Sequence, residues 1–247
     1  MNLFFRYGLV MMLSIVLGSC AMAPTQSSKA SKAAEINTAL GIEYLKKDML
    51  DSSMSKLKKA VSQNSRYAPA HEAMAILYEK LGETEKADSH YRRSLSIESK
   101  NSTTLNNYGQ FLCRQNKLNK ADKYFSQALE DPLYPHPELV YSNAGICAAQ
   151  IPDDRKAEEY FRQALKIRSE YLPALKAMAK LHYAQHNYLG ARAYIQRFEA
   201  RSPLTADLLL LAVQTETKLG DTSATKQYRI DLKKRYPGSS QAQSLLR

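Results

Sequence analysis

Tryptophan is absent from this chain, and glycine and proline number nine each in 247 residues. So few turn formers argue against a β-sandwich or barrel, which needs many tight turns. No apolar run approaches the roughly 20 residues that a membrane-spanning helix requires. No glycine-rich phosphate loop and no Gly-x-Ser-x-Gly turn occurs. No pair of carboxylates stands out from an ordinary helix surface. These absences point away from an enzyme and from any cofactor or small-molecule substrate. The chain is basic, with 35 Lys and Arg against 24 Asp and Glu. That excess is spread rather than gathered: Lys56–Lys59 and Lys233–Arg235 are short groups with no aromatic residues interleaved. A solvated basic surface is therefore expected, not a nucleic-acid site.

What is present is helix-forming composition: Ala, Leu, Lys, Gln, Glu and Tyr dominate, and 44% of residues are apolar. The first twenty residues carry a processing signal. Arg6 and the free amine supply positive charge, and the apolar stretch Leu9 to Leu17 is too short to span a bilayer. Leu17-Gly18-Ser19-Cys20 follows. A leucine and two small residues before a cysteine form the pattern of a bacterial lipoprotein signal, with the Cys20 thiol as the site of lipid attachment. Residues 1–19 would be removed. Acyl chains add roughly 0.8 kcal/mol per buried methylene, so two or three hold firmly. Ala21, rather than Asp, follows the cysteine, and resemblance to sorted lipoproteins implies transport to the outer membrane. Residues 20–33, which lack a large apolar residue after Met22, are expected to form a flexible tether reaching on the order of 20 Å.

Beyond the tether a period near 34 runs to about residue 238. One slot takes a small residue: Gly41, Ala75, Gly109, Gly145, Ala179, Ala212. Twelve residues on comes another: Ser53, Ala87, Ala121, Ala157, Ala191, Ala224. Four further sits a large residue: Leu57, Tyr91, Phe125, Phe161, Ile195, Tyr228. Every slot shows the spacings 34, 34, 36, 34 and 33, so the departures are shared. Small residues belong where two helices cross closely, and the bulky ones fill the space beside them. One hairpin cannot bury its apolar face alone, so the units must stack. Gly82 and Gly220, each followed by an acidic residue, mark turns inside units. Asn116-Lys117-Leu118 and Ile151–Asp154 occupy the same place. Asp131-Pro132-Leu133-Tyr134-Pro135-His136-Pro137 carries the two extra residues and should cross rigidly between the third and fourth units.

This pattern, whole in Ala121/Phe125/Ala128 and Ala157/Phe161/Ala164, resembles the tetratricopeptide repeat. The expected units are about 34–67, 68–101, 102–135, 138–171, 172–204 and 205–238, with a tail at 239–247. The first and last are weaker, since Ser53 and Asp231 stand where Ala is expected. The resemblance implies an all-α, right-handed superhelix of six helical hairpins, with a concave groove lined by the first helix of each. On that geometry Asn106, Asn107, Gln110 and Arg114 of unit three should face the groove, where amides and a guanidinium can hold an extended peptide backbone. Lys176 and Lys180 of unit five should add positive charge there.

Two cysteines remain, Cys113 and Cys147, on the first helices of adjacent units. They can form a disulfide in an oxidising compartment or pack as free thiols. His182 and His186 share an i, i+4 spacing but have no third metal ligand nearby; His71, His90 and His136 look isolated. Metal binding is not expected.

The lipid signal with six repeats, Asn106-Asn107-Tyr108-Gly109-Gln110-Phe111-Leu112-Cys113, Asp131–Pro135 leading to Ser142–Ala148, and Leu232–Ser239 together look like the type IV pilus biogenesis/stability lipoprotein family, of PilW/PilF type. The resemblance implies a pilotin: an outer-membrane lipoprotein on the periplasmic face that binds the secretin subunit and promotes its localisation and multimerisation. The residues alone lead only to a periplasmic scaffold held to a membrane. A general envelope scaffold organising peptidoglycan enzymes or other outer-membrane assembly factors is the other reading.

Overall fold

The computed structural model describes residues 26–151 and 155–245, so Cys20 and the signal segment lie outside the described residues. Regular structure among these is entirely helical. Six antiparallel pairs follow in chain order: α1 (Gln26–Lys46) with α2 (Leu50–Gln63), α3 (Ala68–Lys80) with α4 (Thr84–Ile97), α5 (Ser102–Arg114) with α6 (Leu118–Ala128), α7 (Pro137–Ala148) with α8 (Arg155–Ile167), α9 (Leu172–Ala184) with α10 (Tyr188–Glu199), and α11 (Ala206–Leu219) with α12 (Thr222–Arg235). A short α13 (Ser240–Ser244) follows. Each hairpin packs on the next to form a right-handed superhelix. No described helix is long and apolar enough to cross a membrane.

The slots act as their side-chain sizes require. A Cβ on Gly109 would fall 2.7 Å from the Phe125 ring, and one on Gly145 would fall 2.5 Å from that of Phe161. Only glycine lets these rings lie flat against the crossing helix. Ser53 is fully buried, yet its hydroxyl donates to the Gly41 carbonyl at 2.8 Å, so the polar residue is tolerated in a small slot. In the five pairs whose turns are fully described the chain turns through one left-handed residue: Asp48, Gly82, Asn116, His186 and Gly220 all have φ between 55° and 78°. Glycine, Asn and Asp reach that region at least cost.

Three expectations are corrected. Helix α1 begins at Gln26, inside the stretch expected as tether. Residues 26–33 hold no Pro or Gly, and the start of the helix is tied down: Asn64 Nδ2 donates to Ser31 Oγ at 3.3 Å, and Asn37 Nδ2 donates to the Ala33 carbonyl and to Gln63 Oε1. The tail at 239–247 is also partly structured. Ser239 caps α13, Ala242 is buried, and Leu245 packs on the last core cluster. Third, the last unit keeps a period of 34 rather than 33. The Asp221 amide donates to the Glu216 carbonyl as Glu83 does to Tyr78 and Lys117 to Leu112, and Thr225 bonds Asp221 as Ala121 bonds Lys117. Val213 and Thr225 therefore occupy the small slots, one residue beyond Ala212 and Ala224. Arg229, not Tyr228, stands where Phe125 does, and Leu232, fully buried, stands where Ala128 does. Size alone had selected the neighbouring alanines.

Candidate partner-binding groove

The first helices line the inner wall, and its two halves differ. In the half formed by α3 and α5, polar side chains bond one another from unit to unit. Asn143 Nδ2 donates to Asn106 Oδ1 at 2.9 Å, Asn106 Nδ2 to Asn107 Oδ1 at 3.3 Å, and Asn107 Nδ2 to Glu72 Oε1 at 2.8 Å. Gln110 Nε2 reaches Asn107 Oδ1 at 3.5 Å. Arg114 ion-pairs with Glu79 at 2.5 Å, and the Tyr91 hydroxyl donates to the same carboxylate. Burial pushes the Glu72 carboxyl up against the pull of hydrogen bonds from Asn107 and Thr104, and pushes the Tyr91 hydroxyl far up, with Glu79 beside it adding to the rise. Asn107, Gln110 and Arg114 line a hollow of about 290 Å³ with Ile76, Glu79 and Lys80. Asn106 is 1% exposed, so its amide serves the joint between units rather than an incoming chain.

The other half, between α7 and α9, holds a larger hollow of about 550 Å³ with an apolar lining: Ile146, Ala149, Pro173, Ala177 and Ala184, with Phe161 and Leu181 reaching it from the core. Lys176 and Lys180 border it. Their Nζ atoms lie 2.8 and 3.1 Å from one oxygen of Asp207, at the start of α11. Burial pushes the Asp207 carboxyl up, but hydrogen bonds from Lys176, Thr205 and Lys180 outweigh it and hold the group well below the usual carboxylate range. Positions within single units pointed to Lys176 and Lys180; Glu72, Glu79, Ile146 and Asp207 were missed. Glu72 and Ile146 were findable, since they sit three before and one after their own small slots, as Asn106 and Gln110 do. Glu79 and Asp207 were not, because their contacts cross units.

Cys113 and Cys147 form a disulfide joining α5 to α7, with Cα atoms 5.7 Å apart. It staples the two first helices that flank the proline-rich crossing. His182 and His186 do not share a helix face. His182 is buried, with Nδ1 2.8 Å from Asn187 Nδ2, whereas His186 lies in the left-handed turn beside the Tyr188 hydroxyl. His71 and His90, isolated in sequence, meet with Nδ1 atoms 3.1 Å apart. The Ser65 carbonyl can only accept, so His71 carries its proton on Nε2 and accepts from His90 through Nδ1. Burial first, then the electrostatic influence of the adjoining His71, holds the His90 imidazole down at about 4.

Comparison with known proteins agrees with the geometry. Residues 70–103 match the tetratricopeptide repeat family. The crystal structure of PilW, a type IV pilus biogenesis factor, superposes with a TM-score of 0.81 at 30% identity, covering 87% of this chain and 98% of that one. The structure of Pseudomonas aeruginosa PilF superposes at 0.78, also at 30% identity, covering 88% and 98%. In sequence, the type IV pilus assembly protein PilF of Pseudomonas aeruginosa is 30% identical over 243 residues, 96% of each chain. Similarity sustained over nearly the whole length of both chains, with the same stack of hairpins, makes this chain a member of the type IV pilus assembly family to which PilF and PilW belong.

Proposed function

We propose that this protein is the pilotin of a type IV pilus machine. It is lipidated at Cys20 after removal of residues 1–19, held on the periplasmic face of the outer membrane, and binds the secretin subunit through its concave wall, promoting secretin localisation and multimerisation. Family membership and the absence of a recognisable catalytic constellation in the sequence favour binding over chemistry. The observation that carries the reading is the inner wall itself. Six first helices offer one long polar and apolar face on which Asn107, Arg114, Lys176 and Lys180 are held by partners in neighbouring units and Gln110 by Asn107. Side chains fixed before contact lose less conformational freedom on binding.

The test combines a deletion with two charge reversals. Loss of the gene should remove surface pili and leave the secretin unassembled, and Cys20→Ser should reproduce that defect by releasing the protein from the membrane. Arg114→Glu and Lys180→Glu should weaken co-purification with the secretin from detergent-solubilised outer membrane by about tenfold, roughly 1.4 kcal/mol, while circular dichroism stays helical. Normal pili with altered cell shape in the deletion strain would instead favour an envelope scaffold.

A further inference from the structure

The hollow between α7 and α9 combines two recognition chemistries within one side chain's reach. Its floor is apolar: Ile146 is 48% exposed and, among the described residues, is left open to the hollow. Its volume, about 550 Å³, falls in the range of roughly 300–1,000 Å³ typical of ligand-sized clefts. Among the described residues its rim carries two ammonium groups facing a single carboxylate, an excess of one positive charge. The polar half of the groove offers neither feature. There the Arg114 charge is matched by Glu79, and the amides are bonded to each other and to Glu72.

We propose that this hollow docks an extended, acidic segment of a partner protein, which seats one bulky apolar side chain against Ile146 and Ala177 and lays a neighbouring carboxylate on Lys176 and Lys180. Asp207 shows what the lysine pair accepts. It occupies the clamp in the free protein, and an incoming carboxylate shares or displaces it. A basic segment would meet the residual positive charge and be repelled. The inference goes beyond the pilotin reading and does not stand or fall with it, because it specifies the chemistry of the segment rather than the protein that carries it.

The test selects a phage library of random linear peptides against the purified protein and measures the winners by fluorescence polarisation. The expected winners carry a large aliphatic or aromatic residue beside Asp or Glu. Their affinity should fall about tenfold or more in Ala177→Trp, which fills the hollow, and in the surface variant Lys176→Glu/Lys180→Glu. It should rise several-fold in Asp207→Asn, which frees both ammoniums, and stay unchanged in Arg229→Ala, an exposed position of α12 outside the groove. Failure to enrich any peptide over blank beads, a basic consensus, or winners that bind the Ala177→Trp and charge-reversed proteins as tightly as wild type would each overturn the proposal. An unchanged affinity in Asp207→Asn would overturn its carboxylate half.

Discussion

The third and sixth hairpins occupy equivalent places in the repeat and hold themselves together by different means. In the third, Gly109 lets the Phe125 ring lie against the crossing helix, and the ring is completely buried. A disulfide then joins this hairpin to the fourth. In the sixth, Val213 fills the glycine slot and the exposed Arg229 stands where the ring would be. Leu232 supplies the buried apolar group one helical turn later. Its joint to the fifth hairpin adds a buried ion pair to the apolar core that Leu208 and Leu209 share with Met178 and Ile195: Arg192 Nε donates to Glu216 at 2.9 Å, a second guanidinium nitrogen bonds the other carboxylate oxygen, and Glu216 is 3% exposed. The third hairpin is covered on both sides, whereas among the described residues α13 is the only element that follows the sixth. A repeat protein's stability sums unit and nearest-neighbour terms. Tolerance of the repeat pattern should therefore loosen toward the end, as it does here.

The largest effect that can test this contrast is truncation of the ring. Phe125→Ala should destabilise the protein by about 3–5 kcal/mol, since Gly109 offers no side chain to collapse into the space. Arg229→Ala, at the equivalent position of the last hairpin, should change stability by about 0.5 kcal/mol or less. Urea unfolding of both variants measures the difference, and similar losses at the two sites would erase the distinction between centre and end. Next in size is the disulfide. Closing the 34-residue separation between Cys113 and Cys147 should contribute roughly 3–4 kcal/mol by restricting the unfolded chain. Cys113→Ala/Cys147→Ala should lose that amount, and reductant should affect the wild type but not the double variant. A free-thiol assay under denaturing, non-reducing conditions should detect neither cysteine in the wild type.

The contrast also explains what could be read in advance. The fold was legible because each middle hairpin repeats the same demand: a small residue where helices cross, and a large one beside it. Five units obey, so the period, the hairpins and the turns follow from residue size alone. In the sixth the demand relaxes, and side-chain size misled by one residue; the backbone bonds of Asp221 and Thr225 set the true register. The wall of the groove was half legible. Offsets within a unit find Arg114 and Lys180 but not Glu79 or Asp207 as their partners, because each ion pair spans two units and depends on how they stack. The burial of Asn106 was hidden for the same reason: its acceptor oxygen is taken by Asn143, 37 residues away.

The smallest effect concerns the charged joint and is the most specific. Glu216 lies in the slot that Leu112 fills in the third hairpin, so its carboxylate is buried where an apolar group is usual. Arg192, 29% exposed, is its bidentate partner, with Asp221 a further 3.6 Å contact to the same guanidinium. Removing the arginine strands a buried acceptor, which costs about 1–3 kcal/mol. Arg192→Ala should therefore release amide protection in α11 and α12 in hydrogen exchange while α5 to α8 keep theirs, because local opening needs only the nearest-neighbour contacts to fail. Replacing both partners, as Arg192→Met/Glu216→Leu, removes the stranded charge and should restore protection to near the wild-type level. Equal loss of protection across α5 to α8 in Arg192→Ala would mean that the stack unfolds as one body, and that its end is no weaker than its centre.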